Sequence, residues 1–143
     1  MDQMVNRCRY QGYEEAYRKG KRKLNPDLVY TDLSSKAMVE KAVEELKKSG
    51  VECILCQDDY ICDEAVRKLS HMGVRIPDQM KVASCHYSRI LENYPVTVTS
   101  LKFNITELGR RSCQVLLDMI HGKTVPDKTL LDYEIILKES TKG

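Results

Sequence analysis

Residues 51–84 read VECILCQDDYICDEAVRKLSHMGVRIPDQMKVAS, and this stretch decides the fold class. VECILCQ is a nearly continuous apolar run, the pattern expected of a central strand covered on both faces. From Asp59 onward Ile61, Ala65, Leu69 and Met72 fall on one helical stripe, which stops at Gly73. The turn IPDQ then leads into MKVASC, a further strand. Strands alternating with helices of roughly 10 to 15 residues make βαβ units, with parallel strands and right-handed crossovers.

Toward the N-terminus the same alternation continues. SSKAMVEKAVEELKKSG opens on helix-start serines, places Met38, Val39, Ala42, Val43 and Leu46 on one stripe, and closes on lysines and Gly50. Before it, DLVYTD is a short β-branched and aromatic run that reads as a strand. Tyr10, Tyr13, Ala16 and Tyr17 recur at helical spacing from about Asn6 to Lys19, which predicts an amphipathic helix ended by Gly20.

Toward the C-terminus, 97–101 is a short extended run. Asn104, with Glu107 three residues later, resembles a capping box for a helix bearing Leu108, Val115, Leu116, Met119 and Ile120 and ended by Gly122. In KTLLDYEIILKES the residues Leu131, Tyr133, Ile135 and Leu137 alternate with mostly polar neighbours, as in a half-buried or edge strand. The expected class is α/β, a doubly wound and mostly parallel sheet.

Composition narrows the function classes. The 143 residues are 42% hydrophobic and 31% charged, with 23 basic against 21 acidic side chains, so no strongly basic face for nucleic acid is expected. The basic run Arg18, Lys19, Lys21, Arg22 and Lys23 reads either as a phosphate patch or, more simply, as cations that suit a helix C-terminus. No window approaches the roughly 20 apolar residues of a membrane span, and MDQMVNRCRY lacks the apolar core of a signal peptide. The cytoplasm is the expected compartment.

The chemistry-bearing residues give little sign of catalysis. Cys53 and Cys56 spell C-x-x-C, but strand residues three apart face opposite sides and cannot share a metal. Asp58 and Asp59 are similar in form to the acidic pair of phospho-receiver domains, yet the later strand ends in Cys85, His86 and Tyr87 where that chemistry needs a third aspartate. Cys85 and His86 are adjacent in a strand, so they cannot form a nucleophile–base hydrogen bond. No glycine-rich phosphate loop or zinc-hydrolase pattern occurs. No enzyme activity, metal or cofactor is expected. Ligands of doubly wound sheets bind beyond the carboxyl ends of the strands, which directs attention to 30–33, 57–60 and 86–88.

Several segments, taken in order, carry a resemblance to a known family. NRCRYQGYEEA is similar to an R-x-x-G-[FYW]-x-x-A helix; residues 51–84 resemble a strand, an [ND]-D helix start, a G-[LIV]-x-[VI]-P turn and a second strand. VTSLKFNITELG, GKTVPD and the terminal LKEST complete the set. Together they resemble the C-terminal part of the effector domain of LacI/GalR-type transcription regulators, which has the periplasmic-binding-protein fold of two Rossmann-like lobes.

The resemblance implies a small-molecule effector, of which a carbohydrate is the leading class, and a regulator that works as a homodimer. It also implies that operator DNA is gripped only by an N-terminal helix-turn-helix outside this sequence. On this reading residues 1–102 are the C-terminal lobe, incomplete at its start, and 103–143 a crossover helix and strand that complete the first lobe. A periplasmic-type solute receptor and a phospho-receiver are the alternatives.

Arg9 falls where the family places an arginine on ligand hydroxyls, and Asp58 where a strand-end Asn or Asp does likewise. Leu33 stands at the usual sugar-stacking aromatic, and His86 at the aspartate of the family's G-[FY]-D-D, here Ser84–Tyr87. Phe103, in the crossing segment, is the fifth candidate. A salt bridge for Arg9 and an N-cap role for Asp58 remain open beside the ligand role.

Overall fold

The computed structural model describes residues 4–142. Its elements in chain order are α1 (Met4–Lys19), α2 (Lys36–Lys48), β1 (Cys53–Cys56), α3 (Asp59–His71), β2 (Lys81–Ser84), β3 (Thr99–Phe103), α4 (Ile105–Ile120) and β4 (Tyr133–Ile136), with short 3-10 turns at Pro26–Leu28, Arg89–Glu92 and Glu139–Thr141. One four-stranded sheet has the order β1-β2-β3-β4. β1 and β2 pair in parallel with Ile54 opposite Val82, and β2 pairs in parallel with β3. β4 is antiparallel to β3, Leu101 facing Ile135. The sheet is thus mixed and mostly parallel.

Helix boundaries follow local chemistry. The Ser35 hydroxyl accepts the Met38 N–H to start α2, and Asp58 Oδ1 accepts the Ile61 N–H at 2.8 Å to start α3. Gly50 and Gly73 adopt positive φ just past α2 and α3, where a side chain would be strained. At α4 Asn104 Oδ1 accepts the Glu107 N–H at 2.9 Å, but the Glu107 carboxylate binds Arg110 and Arg111. Only the cap half of the expected box therefore forms.

The core is built where α2, α3, β1 and β2 meet. Val39 and Val43 of α2, Cys62, Val66 and Leu69 of α3, Ile54 and Cys56 of β1, and Met80 and Val82 form one buried cluster, joined by Leu91 and Val98. The C-terminal 3-10 turn is stitched into it. Ser140 is fully buried; its hydroxyl donates to the Val82 carbonyl at 2.6 Å and accepts the Thr99 N–H at 2.9 Å.

Three expectations are corrected. DLVYTD is not a strand: Pro26–Leu28 is a 3-10 turn capped by Asn25, and 29–34 runs irregularly with Asp32 at φ +58°. A strand persists only where its backbone groups join a ladder, and an open groove separates this segment from β1. β1 is an edge strand rather than a central one; Ile54 and Cys56 are buried while Cys53 and Leu55 are exposed. The tyrosine stripe of α1 does not enter the core, for α1 buries none of its residues. Phe103, the last residue of β3, pairs with Tyr133 of β4.

Candidate functional site

β1 ends at Cys56 and passes through Gln57 to Asp58, the cap of α3. β2 ends at Ser84 and passes to Cys85 and His86. Beside these carboxyl ends lies a groove of about 880 Å³, bounded by α1, by 28–34 and by β1. Arg9, Leu33 and Asp58 all line it. The sequence separates these residues by 24 and 25 positions, and the fold brings them to one cavity.

Each occupies its place for a local reason. Arg9 projects from an exposed helix and has no ion-pair partner among the described residues, so its guanidinium keeps all its donors for another group. Asp58 spends one carboxylate oxygen on the Ile61 N–H. Cap and ligand roles are therefore compatible, since a carboxylate carries a second acceptor oxygen. Leu33 packs against the core cluster and offers the groove an apolar surface.

The other two candidates lie elsewhere. His86 Nδ1 sits 3.6 Å from Asp59 Oδ1, on the first turn of α3, and the His86 backbone is tied to the Ser84 hydroxyl. Phe103 is at the end of β3, two strands from β1, and is partly exposed. Neither residue lines the groove.

The groove also contains residues that the sequence does not single out as ligand candidates. Tyr10, Tyr13 and Tyr17 of α1 line it, as does Tyr30. The Tyr13 and Tyr17 rings meet edge to face at 5.0 Å, and the Tyr13 hydroxyl donates to that of Tyr17 at 3.3 Å. Burial, that hydrogen bond and the charges of Tyr17 and Cys53 push the Tyr13 phenol up to about 12. Burial likewise raises the Cys85 thiol, with Arg9 opposing it. The signal for the tyrosines is their helical spacing, which by itself reads as a core-facing stripe.

Residues 2–141 match the family described as periplasmic binding protein-like domain. The chain belongs to the periplasmic binding protein-like family. Among its curated relatives is the HTH-type transcriptional repressor PurR of Haemophilus influenzae, 26% identical over 163 residues that cover all of this chain and 44% of the relative. Another is the HTH-type transcriptional regulator CelR of Thermobifida fusca, 27% identical, covering 92% of this chain and 40% of the relative. The fold of this periplasmic binding protein-like chain superimposes on the transcription regulator CcpA of Lactococcus lactis with a TM-score of 0.90 at 23% identity, over 99% of this chain and 53% of that one. A CelR–cellobiose complex gives 0.82 at 26% identity, covering 92% of this chain and 41% of that one. The resemblance to LacI-type regulators read from the sequence is upheld, and the chain spans about half the length, or less, of these relatives.

Among the described residues no helix is long and apolar enough to cross a membrane.

Proposed function

We propose that this chain is the effector-sensing part of a LacI-type transcription regulator, and that it supplies one wall of a cleft for a carbohydrate or a related polyhydroxy ligand. The observation that carries this reading is the convergence of Arg9, Asp58 and Leu33 on one groove at the carboxyl ends of the strands. A fixed donor fork, an acceptor oxygen and an apolar face are the set a buried polyol needs, because each hydroxyl must both donate and accept. Operator contact then belongs to a helix-turn-helix outside this sequence, and the compartment is the cytoplasm. The near-balance of 23 basic and 21 acidic side chains supports a part without DNA affinity of its own. The relatives are named as regulators, which supports a sensing role over an enzymatic one.

Homodimerisation is the association we expect. Leu108, Leu116 and Met119 of α4 are exposed around a shallow apolar hollow of about 390 Å³, which also touches Pro126 and Leu131. Sedimentation that stays monomeric at high protein concentration counts against it.

The ligand reading is tested by amide chemical-shift mapping during titration with monosaccharides, disaccharides and purines. Shifts centred on Arg9, Leu33 and Asp58 are expected, with millimolar affinity, since a single wall leaves much of a ligand in water while the cost of immobilising it remains. Arg9→Ala should abolish them. Asp58→Asn keeps an N-cap and so separates ligand loss from helix loss. Shifts that avoid the groove for every compound overturn the assignment.

A further inference from the structure

We propose that the cation cluster gathered on the Tyr87 ring is a binding site for a phosphate group, free or as a monoester. Four stretches of chain meet there: Tyr87 just past β2, Glu92 on the 3-10 turn Arg89–Glu92, Lys102 in β3, and Lys138 just beyond β4. Lys138 Nζ lies 5.2 Å and Lys102 Nζ 5.8 Å from the centroid of this one ring. Both separations fall within the roughly 6 Å over which a ring face attracts a cation. None of these residues lines the groove of Arg9 and Asp58, so the inference stands apart from the effector reading.

The charge there is unbalanced. The carboxylate in contact with the cluster is Glu92, whose Oε1 accepts the Tyr87 hydroxyl at 2.8 Å and the Lys138 ammonium at 3.0 Å. Lys138 is thereby offset, but Lys102 makes no hydrogen bond or ion pair with any described residue. Glu134 stands directly across from Lys102 on β4, yet Lys102 leans to Tyr87 instead. Arg89, exposed on the turn that carries Glu92, adds a third cation without an ion-pair partner among the described residues. An ammonium has three N–H donors, and stacking on a ring leaves those on its far side for an acceptor.

The cluster is held in shape before any ligand arrives. The Lys138 N–H donates to Thr99 Oγ1 at 2.8 Å, and that hydroxyl donates to the Lys138 carbonyl at 3.2 Å, so the stem of this half-buried lysine starts from a fixed backbone. Glu92 pins its ammonium, and Lys102 starts from the ladder of β3 with β4. Side chains fixed beforehand lower the ordering cost of binding. Phosphate suits this geometry better than a carboxylate. Its several oxygens can bridge ammonium groups that stand on one ring, and at neutral pH it carries more charge than a carboxylate does.

The test is a titration of the whole 143-residue chain with inorganic phosphate at constant ionic strength, read from amide chemical shifts. Saturable shifts at Tyr87, Lys102 and Lys138 are expected, with millimolar affinity. Lys102→Gln removes the unpaired charge at an exposed position and should weaken binding at least about threefold. Glu92→Gln keeps an acceptor for the Tyr87 hydroxyl while releasing Lys138, and should tighten binding by a similar factor. Unshifted Leu69 and Val82 amides report that both variants are folded. Glycerol phosphate distinguishes the sources: affinity equal to that of inorganic phosphate assigns a monoester, and a clear loss assigns the free ion. Shifts that do not saturate, or an affinity that either variant leaves unaltered, overturn the proposal. Acetate binding as tightly as phosphate overturns it too, by showing a surface that takes any anion.

Discussion

The α2–α3–β1–β2 body and the α4–β4 arm are written in the same amphipathic code and end in opposite states. In the body, the stripes of α2 and α3 meet each other and the sheet, and Val39, Val43, Cys62 and Leu69 are almost fully buried. In the arm, α4 carries an equally clear apolar stripe yet buries no residue, and Tyr133 and Ile135 of β4 stay exposed. A stripe contributes stability only in proportion to the apolar area it removes from water, and that requires a second layer. The body contains both layers and the arm contains one.

This contrast can be broken most directly in the core. Leu69→Ala should cost about 2–5 kcal/mol, the range for a buried leucine whose cavity collapses only partly, measured by urea unfolding. A loss under about 1 kcal/mol would mean the body is no better packed than the arm.

Ser140→Ala is expected to cost about 1–3 kcal/mol, because it strands the Thr99 N–H and the Val82 carbonyl, both partners of the buried hydroxyl. It also sharpens the comparison. The C-terminal turn is fixed to the body while the strand just before it is not, so exchange should quicken at Thr99 and leave β4 little changed.

Leu116→Ala is the matching change in the arm. At low protein concentration it should shift stability by no more than about 0.5 kcal/mol, since Leu116 is 58% exposed. A cost comparable to that of Leu69→Ala, growing with protein concentration, would show that another copy covers this face.

The smallest effect is electrostatic. Hydrogen bonds from Arg110 and then Arg111, with their charges, hold the Glu107 carboxyl down at about 2. A carboxylate depressed in the folded state supports α4 above its ordinary value of about 4.5 and loses that support as pH falls toward about 2. Helicity of α4 should decline slightly over that window, and Glu107→Gln should remove the dependence. Because the pair is solvent-exposed, high salt should weaken it too.

Much of the fold was legible because it rests on local rules. Asp58 and Asn104 are cap residues by type and position, Gly50 and Gly73 mark helix ends, and the stripes of α2 and α3 identify their buried faces. The candidate site was legible in part, as Arg9, Leu33 and Asp58 do converge, whereas His86 turns to Asp59. A residue number gives the strand end on which a side chain sits, but not the neighbour it faces.

By itself, then, the sequence determined the order of helices and strands from α2 onward, the parallel character of β1 and β2, and the caps between them. These depend on periodicity and on hydrogen bonds a few residues long. Only the tertiary structure decided that DLVYTD forms no strand, that β1 is an edge, and that the stripes of α1 and α4 lie open. Those outcomes depend on whether a second surface is present to pair with or bury against. An amphipathic pattern states the need for such a surface and carries no information about whether the same chain supplies it.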